Sequence, residues 1–172
     1  MADNKDELIG AVRFGSLADV QRLLARGDLI NTPDTLGMTP LHWSVYHGKF
    51  DVAQLLVQRG ANVKARDATG ETPIHYAAAR RTSQLAKLLV DHGADVNAKN
   101  TIGQTPLHFA ATWSRDTEAP SFLIANGAKV NALDNEGRTP LDTAEDRLSD
   151  ELGEFLKRKG GKRGAELKAD KT

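Results

Sequence analysis

Thr39-Pro40-Leu41-His42-Trp43-Ser44 is followed by Thr72-Pro73-Ile74-His75-Tyr76-Ala77 and Thr105-Pro106-Leu107-His108-Phe109-Ala110. A fourth Thr-Pro lies at Thr139-Pro140, so the four copies are spaced by 33, 33 and 34 residues. Each follows a glycine by two positions (Gly37, Gly70, Gly103, Gly137), and Gly60-Ala61, Gly93-Ala94 and Gly127-Ala128 recur about twenty residues further on. A fixed period of this length means supersecondary units stacked on one another, none able to bury its apolar face alone.

The residues dictate the unit. Thr39, Thr72, Thr105 and Thr139 stand where helix N-caps belong, their hydroxyls available to orphan N–H groups. The prolines that follow occupy the first helical position, where the missing N–H costs nothing. Val52, Leu55 and Leu56, then Leu85, Leu88 and Leu89, give a second helix its apolar face. Gly60, Gly93 and Gly127 stop that helix in the left-handed geometry favoured after a C-cap.

With its period and its Thr-Pro-Leu-His-x-Ala pattern, the chain resembles the ankyrin-repeat family from about Asp6 to about Gly160. The resemblance implies an all-α solenoid of stacked helix-turn-helix units with β-turn fingers, and it implies no chemistry. In this reading residues 1–33 form an N-terminal capping unit, with a two-helix pattern but no Thr-Pro-Leu-His. Residues 34–66, 67–99 and 100–133 are full repeats, the last with a one-residue insertion. Residues 134–160 form the closing repeat, and 161–172 a basic flexible tail. The fourth motif continues Leu-Asp, and Lys157 is read in the slot that Leu56 and Leu89 fill earlier; a charge there marks a face with no further repeat to cover it.

The 23 basic and 23 acidic side chains cancel, which gives no general reason to expect nucleic acid. From Lys157 onward, however, seven Lys/Arg face Glu166 and Asp170, a net of +5 that leaves −5 for residues 1–156. The alternative function is therefore association of that tail with nucleic acid or an anionic surface, the repeats serving as a spacer. Cysteine is absent, which excludes disulfides and thiolate metal sites. No signal peptide or membrane-length apolar run is present, so the cytoplasm is expected, or secretion or the periplasm if a signal peptide has been removed.

Three of the five histidines (His42, His75, His108) share one repeat position. One period separates them by about 10 Å, the thickness of a helix layer, too far for one metal ion with ligands at about 2 Å. By the family resemblance each bonds its own threonine (Thr39, Thr72, Thr105) and the backbone of the next repeat, a structural role. No Ser-His-Asp set, carboxylate pair, phosphate-cradling loop or HExxH motif is visible, so no enzyme, cofactor, metal or small-molecule substrate is expected.

By the same resemblance, function lies on the concave face, made of finger tips and the outward ends of the first helices. Arg13-Phe14, Tyr46-His47, Ala79-Arg80, Thr112-Trp113 and Asp146-Arg147 are the outward pairs, and the second member of each forms a ladder: Phe14, His47, Arg80, Trp113, Arg147. Aromatic and arginine side chains dominate binding hot spots. Leu36, Met38, Arg66, Ile102 and Leu133 add tip positions. Trp43, Tyr76 and Phe109, just inside, read as core. A protein partner on this face and a monomeric chain are expected, a homodimer through the apolar tips being the competing outcome. Gly48 ends the first helix where φ can be positive. Arg81 and Ser114 stand in its place in the next two repeats, at about 1 kcal/mol each if that geometry is kept. With the inserted residue and Pro120, they deform the Trp113–Pro120 connection, by a functional demand or by drift in a tolerant loop.

Overall fold

The computed structural model describes residues 4–26, 29–80, 83–114, 116–147 and 150–169, and over them the chain is helical. Arg81 and Asp170 lie outside the described residues. The cap contributes α1 (Asn4–Phe14) and α2 (Leu17–Leu24). Four Thr-Pro units contribute α3 (Pro40–Tyr46) and α4 (Phe50–Gln58), α5 (Pro73–Ala78) and α6 (Gln84–Asp91), α7 (Pro106–Trp113) and α8 (Glu118–Ala125), and α9 (Pro140–Asp146) and α10 (Asp150–Arg158). A short α11 (Gly164–Ala169) follows. First helices pack in the row α1, α3, α5, α7, α9, and second helices in the row α2, α4, α6, α8 behind them. No strand occurs among the described residues.

Between the rows runs one apolar core. Leu41, Ile74, Leu107 and Leu141, each after its proline, are at most 2% exposed, and Leu56, Leu89 and Leu123 of the second helices are fully buried. Burying one such side chain stabilises the fold by about 1.5–3 kcal/mol. Leu156 is also fully buried and completes that column. It corrects the reading of Lys157, which lies one position on and is ion-paired at the surface to Glu145 (3.3 Å) and Glu154 (3.0 Å).

Each finger is a turn organised by one side chain. Asp34 Oδ1 accepts from the N–H groups of Leu36 and Met38, and Asp67, Asn100 and Asp134 do the same in their fingers. One backbone bond of 3.0 Å joins each finger to the next: Ala68 N–H to Leu36 O, Thr101 N–H to Thr69 O, Asn135 N–H to Ile102 O. Gly37, with φ 74°, is required twice over. A β-carbon there would be strained and would stand 2.5 Å from Ala68 N, where the next finger docks. Behind the fingers, Asn31, Asn97 and Asn131 each donate to the carbonyl of a helix-ending glycine one repeat on (Gly60, Gly127, Gly160) and accept from the N–H two residues later.

The tail is the largest departure from expectation. Over its described residues 161–169 the tail carries α11 and lies against the closing repeat, where a next finger would stand. Asn131 holds it at Gly160 O and Lys162 N–H. Thr139 Oγ1 donates to Lys162 O at 2.8 Å, Asp142 accepts from Gly164 N–H at 2.8 Å, and Arg163 pairs with Glu145 at 2.6 Å. A β-carbon on Gly164 would overlap the Gly137 carbonyl, so glycine lets the tail approach the last finger. Apolar periodicity gave no sign of this because the docking is carried by hydrogen bonds.

The irregular third repeat resolves simply. Ser114 does not keep the Gly48 geometry: its backbone is extended (φ −80°, ψ 145°), so no left-handed strain arises. Pro120 falls in the first turn of α8, with Thr117 as N-cap, where its missing N–H has no helical acceptor in any case.

Candidate functional site

At the seam between repeats, Thr39 N–H donates to His42 Nδ1 (3.1 Å), and the Thr39 hydroxyl lies 2.8 Å from the same nitrogen. Because Nδ1 accepts, the ring proton is on Nε2, which donates to Glu71 O in the next finger at 3.2 Å. His75 repeats the arrangement with Thr72 and Gln104 O (3.2 Å), and His108 with Thr105 and Arg138 O (3.1 Å). All three rings are inaccessible to solvent. Burial, against weaker favourable backbone bonds, holds their pKa values below the usual 6.5, to about 4 for His75. Neutral imidazole is the form that satisfies every group there. In the fourth unit Asp142 takes the histidine position and accepts from Thr139 N–H (2.8 Å). A carboxylate cannot donate to a following carbonyl, and the tail accordingly offers it the Gly164 N–H. Burial would raise the Asp142 carboxyl, but the bonds from Thr139 and Gly164 outweigh it and hold it below the usual carboxylate range.

The face formed by finger tips and first-helix ends is of a different kind. Phe14 (76% exposed), Leu36, Tyr46, Ile102 and Trp113 (61%) lie on it, and Leu17, at the start of α2, is the one other exposed large apolar residue among those described. The outward rings and cations touch one another. Phe14 meets His47 at 6.2 Å, and His47 stacks on Trp43 at 5.7 Å with 20° between planes. Arg13 lies between the Phe14 ring (4.9 Å) and the Trp43 ring (4.2 Å). Arg80 reaches back over Tyr46 and Arg147 over Trp113, both at 5.6 Å. Arg80 and Arg147 thus each cover an aromatic side chain of the repeat before, whereas Arg13 meets one of the repeat after. The pKa of His47 is lowered, by burial first and then by Arg13, Lys49 and Arg80.

Two hollows flank Trp113. One of about 480 Å³ is lined by Tyr46, Glu71, Tyr76, Ala79, Arg80, Phe109 and Trp113. Another of about 450 Å³ lies on the other side, among Ile102, Phe109, Thr112, Trp113, Arg138 and Arg147, and shares that glutamate. Tyr76 and Phe109, read as core, are half-buried and line these hollows, whereas Trp43 is buried with its Nε1–H on Asp34 (2.8 Å). Tyr76 OH donates to Asp67 at 2.5 Å in the same way. Phe109 has no such donor, and its finger carries Asn100 instead, which donates to Glu71 Oε1 at 2.8 Å. Thr69 Oγ1 donates to the other Glu71 oxygen. Burial, together with the nearby Asp67, raises the Glu71 carboxyl. Its role was not read from the sequence; the signal was the matched change from Asp67 to Asn100 with the change from Tyr76 to Phe109.

Of the residues expected at the tips, Leu36 and Ile102 are exposed and Leu133 is half-buried. Met38 is not on the surface: at 6% exposure it belongs to the core, its N–H returning to Asp34 as the chain turns into the Thr39 cap. Arg66 spends its guanidinium within the fold, on the carbonyls of Gly70 (3.0 Å) and Lys99 (2.6 Å).

Two family models match, one described as ankyrin repeats in three copies over residues 8–100 and one as ankyrin repeats in many copies over residues 89–144. The chain belongs to the ankyrin-repeat family. A search among curated proteins returned no match. Ankyrin repeats are in general protein–protein interaction modules and are typically non-catalytic. Among the described residues of this ankyrin-repeat chain no group of three His, Asp or Glu gathers as metal ligands, and no helix is long and apolar enough to cross a membrane.

Proposed function

We propose that this chain is a non-catalytic binding module that clasps a protein partner on the face carrying Phe14, Tyr46, His47, Arg80, Trp113 and Arg147, with Leu36 and Ile102 at its finger-tip edge. The observation that carries the reading is the segregation of exposed apolar area: five of the six exposed large apolar residues among those described share that one face. Scattered exposed apolar side chains mean little, whereas a contiguous row rimmed by arginines is the composition of interface centres. A face built on stacked helix ends is also ordered before the partner arrives, which lowers the entropy cost of association. An adaptor, an effector and an inhibitor that plugs a partner's cleft would all use it alike.

The tail reading is weaker once 161–169 is docked, since Lys157 and Arg163 both pair with Glu145. Affinity capture from native extract tests the choice, with wild type beside a Trp113→Ala/Arg80→Glu variant of matched thermal stability. A protein held by wild type and lost by the variant supports the face. Equal retention by both sinks it and makes the tail the next segment to alter.

A further inference from the structure

Beyond the identity of the face, its charges specify what it touches. Among the described residues Arg13, Arg80 and Arg147 have no carboxylate within 4.0 Å, although the chain forms ion pairs elsewhere. The carboxylates nearest the ridge are already committed: Asp146 to Arg138 (2.5 Å), Glu71 to Thr69 and Asn100, Asp67 to Tyr76. Contact with a ring consumes none of a guanidinium's N–H donors, so Arg80 and Arg147 keep theirs for a forked bond to a carboxylate.

Resting on the proposed binding face, we propose that the occupant is an extended acidic segment of a partner protein, its carboxylates received by Arg80 and Arg147 and an apolar side chain between them seated against Trp113. The spacing sharpens this. Arg80 and Arg147 stand two repeats apart, about 20 Å at a layer thickness of about 10 Å. An extended chain rises about 3.3 Å per residue, so the two acids are about six residues apart with the apolar anchor midway. The hollows on either side of Trp113 take the flanking side chains. A cationic occupant is disfavoured because Arg80 and Arg147 already cover the ring faces that would attract it. Nucleic acid is disfavoured too: with a net charge of zero the chain offers no long-range attraction to a long polyanion, while a short acidic peptide responds to the local arginines.

The test is selection of random twelve-residue peptides displayed on phage against the full chain, followed by affinity measurement on the enriched peptides. Enrichment of Asp and Glu about six positions apart around an apolar residue is the expected result. Those peptides should weaken by roughly tenfold or more on an Arg80→Glu/Arg147→Glu chain, which in turn should select Lys and Arg. If that double variant melts early, Arg80→Gln/Arg147→Gln serves in its place. Basic or neutral peptides that depend on Trp113 would overturn the acidic assignment and leave the face intact. Peptides indifferent to both Trp113→Ala and Arg80→Glu would overturn the face itself. Failure to enrich any peptide, or tighter binding of a single-stranded thymidine oligonucleotide at the same arginines, would also contradict the proposal.

Discussion

The seam between repeats and the ridge of helix ends are built on the same helices, and they follow opposite rules. At the seam the residue types repeat, Thr-Pro-Leu/Ile-His three times, and each His ring has partners for both nitrogens. Along the ridge the types change from Phe to His, Arg, Trp and Arg, and the arginines keep donors without carboxylate partners among the described residues. Burial accounts for the difference. An unmatched polar group inside costs its full desolvation, so the seam tolerates one solution, while exposure leaves the ridge free to suit something outside the chain.

Acid should break the seam most. The folded pKa of each seam histidine lies below the unfolded value of 6.5, so the unfolded chain binds the proton first. Stability is therefore full above about pH 6.5 and falls as the pH drops, over the window down to about 4 in the case of His75. That one ring is worth about 3 kcal/mol across its window, with His42 and His108 acting in the same direction. Denaturant midpoints taken from pH 7 to pH 4 check this; a flat profile would refute neutral seam histidines.

Next comes His75→Ala, which strands Thr72 N–H and Gln104 O and opens a cavity. About 2–4 kcal/mol of stability should be lost, seen as a lower thermal midpoint. A smaller effect sharpens the comparison at the closing unit. Asp142→His restores the residue of the other repeats yet should destabilise by about 1–2 kcal/mol, because Gly164 presents an N–H where the other repeats present a carbonyl. Amide exchange within 161–169 should speed up, and unchanged exchange would show that the tail is not docked through this bond. Smallest of all, Trp113→Ala at an exposed position should shift stability by no more than about 0.5 kcal/mol, and Arg80→Glu at a half-buried one by about 1 kcal/mol, while both abolish capture.

The period, the caps and the histidine column were legible in the sequence because buried positions repeat, and repetition is what a single chain displays. Met38 was misplaced because tip and inward positions alternate within a five-residue turn, and its burial depends on a side-chain bond from Asp34 that sequence spacing does not reveal. The slot given to Lys157 slipped by one; counting back from Gly160, as from Gly60 and Gly93, leads to Leu156. The docked tail stayed hidden because its contacts are polar, and Arg66 because its partners are backbone carbonyls. The outward ladder was visible as residue types, but the contacts of Arg80 with the Tyr46 ring and Arg147 with the Trp113 ring needed coordinates.

The two tryptophans offer the most direct test. Trp43 Nε1–H is tied to Asp34 inside the fold, whereas Trp113 is exposed on the ridge, so their indole signals in a nitrogen-15 correlation spectrum report the buried side of the first finger and the ridge separately. Titration with the captured partner, or with a selected acidic peptide, should move the Trp113 signal strongly and leave Trp43 nearly in place. A saturated complex in which the Trp113 signal has not moved would contradict the account.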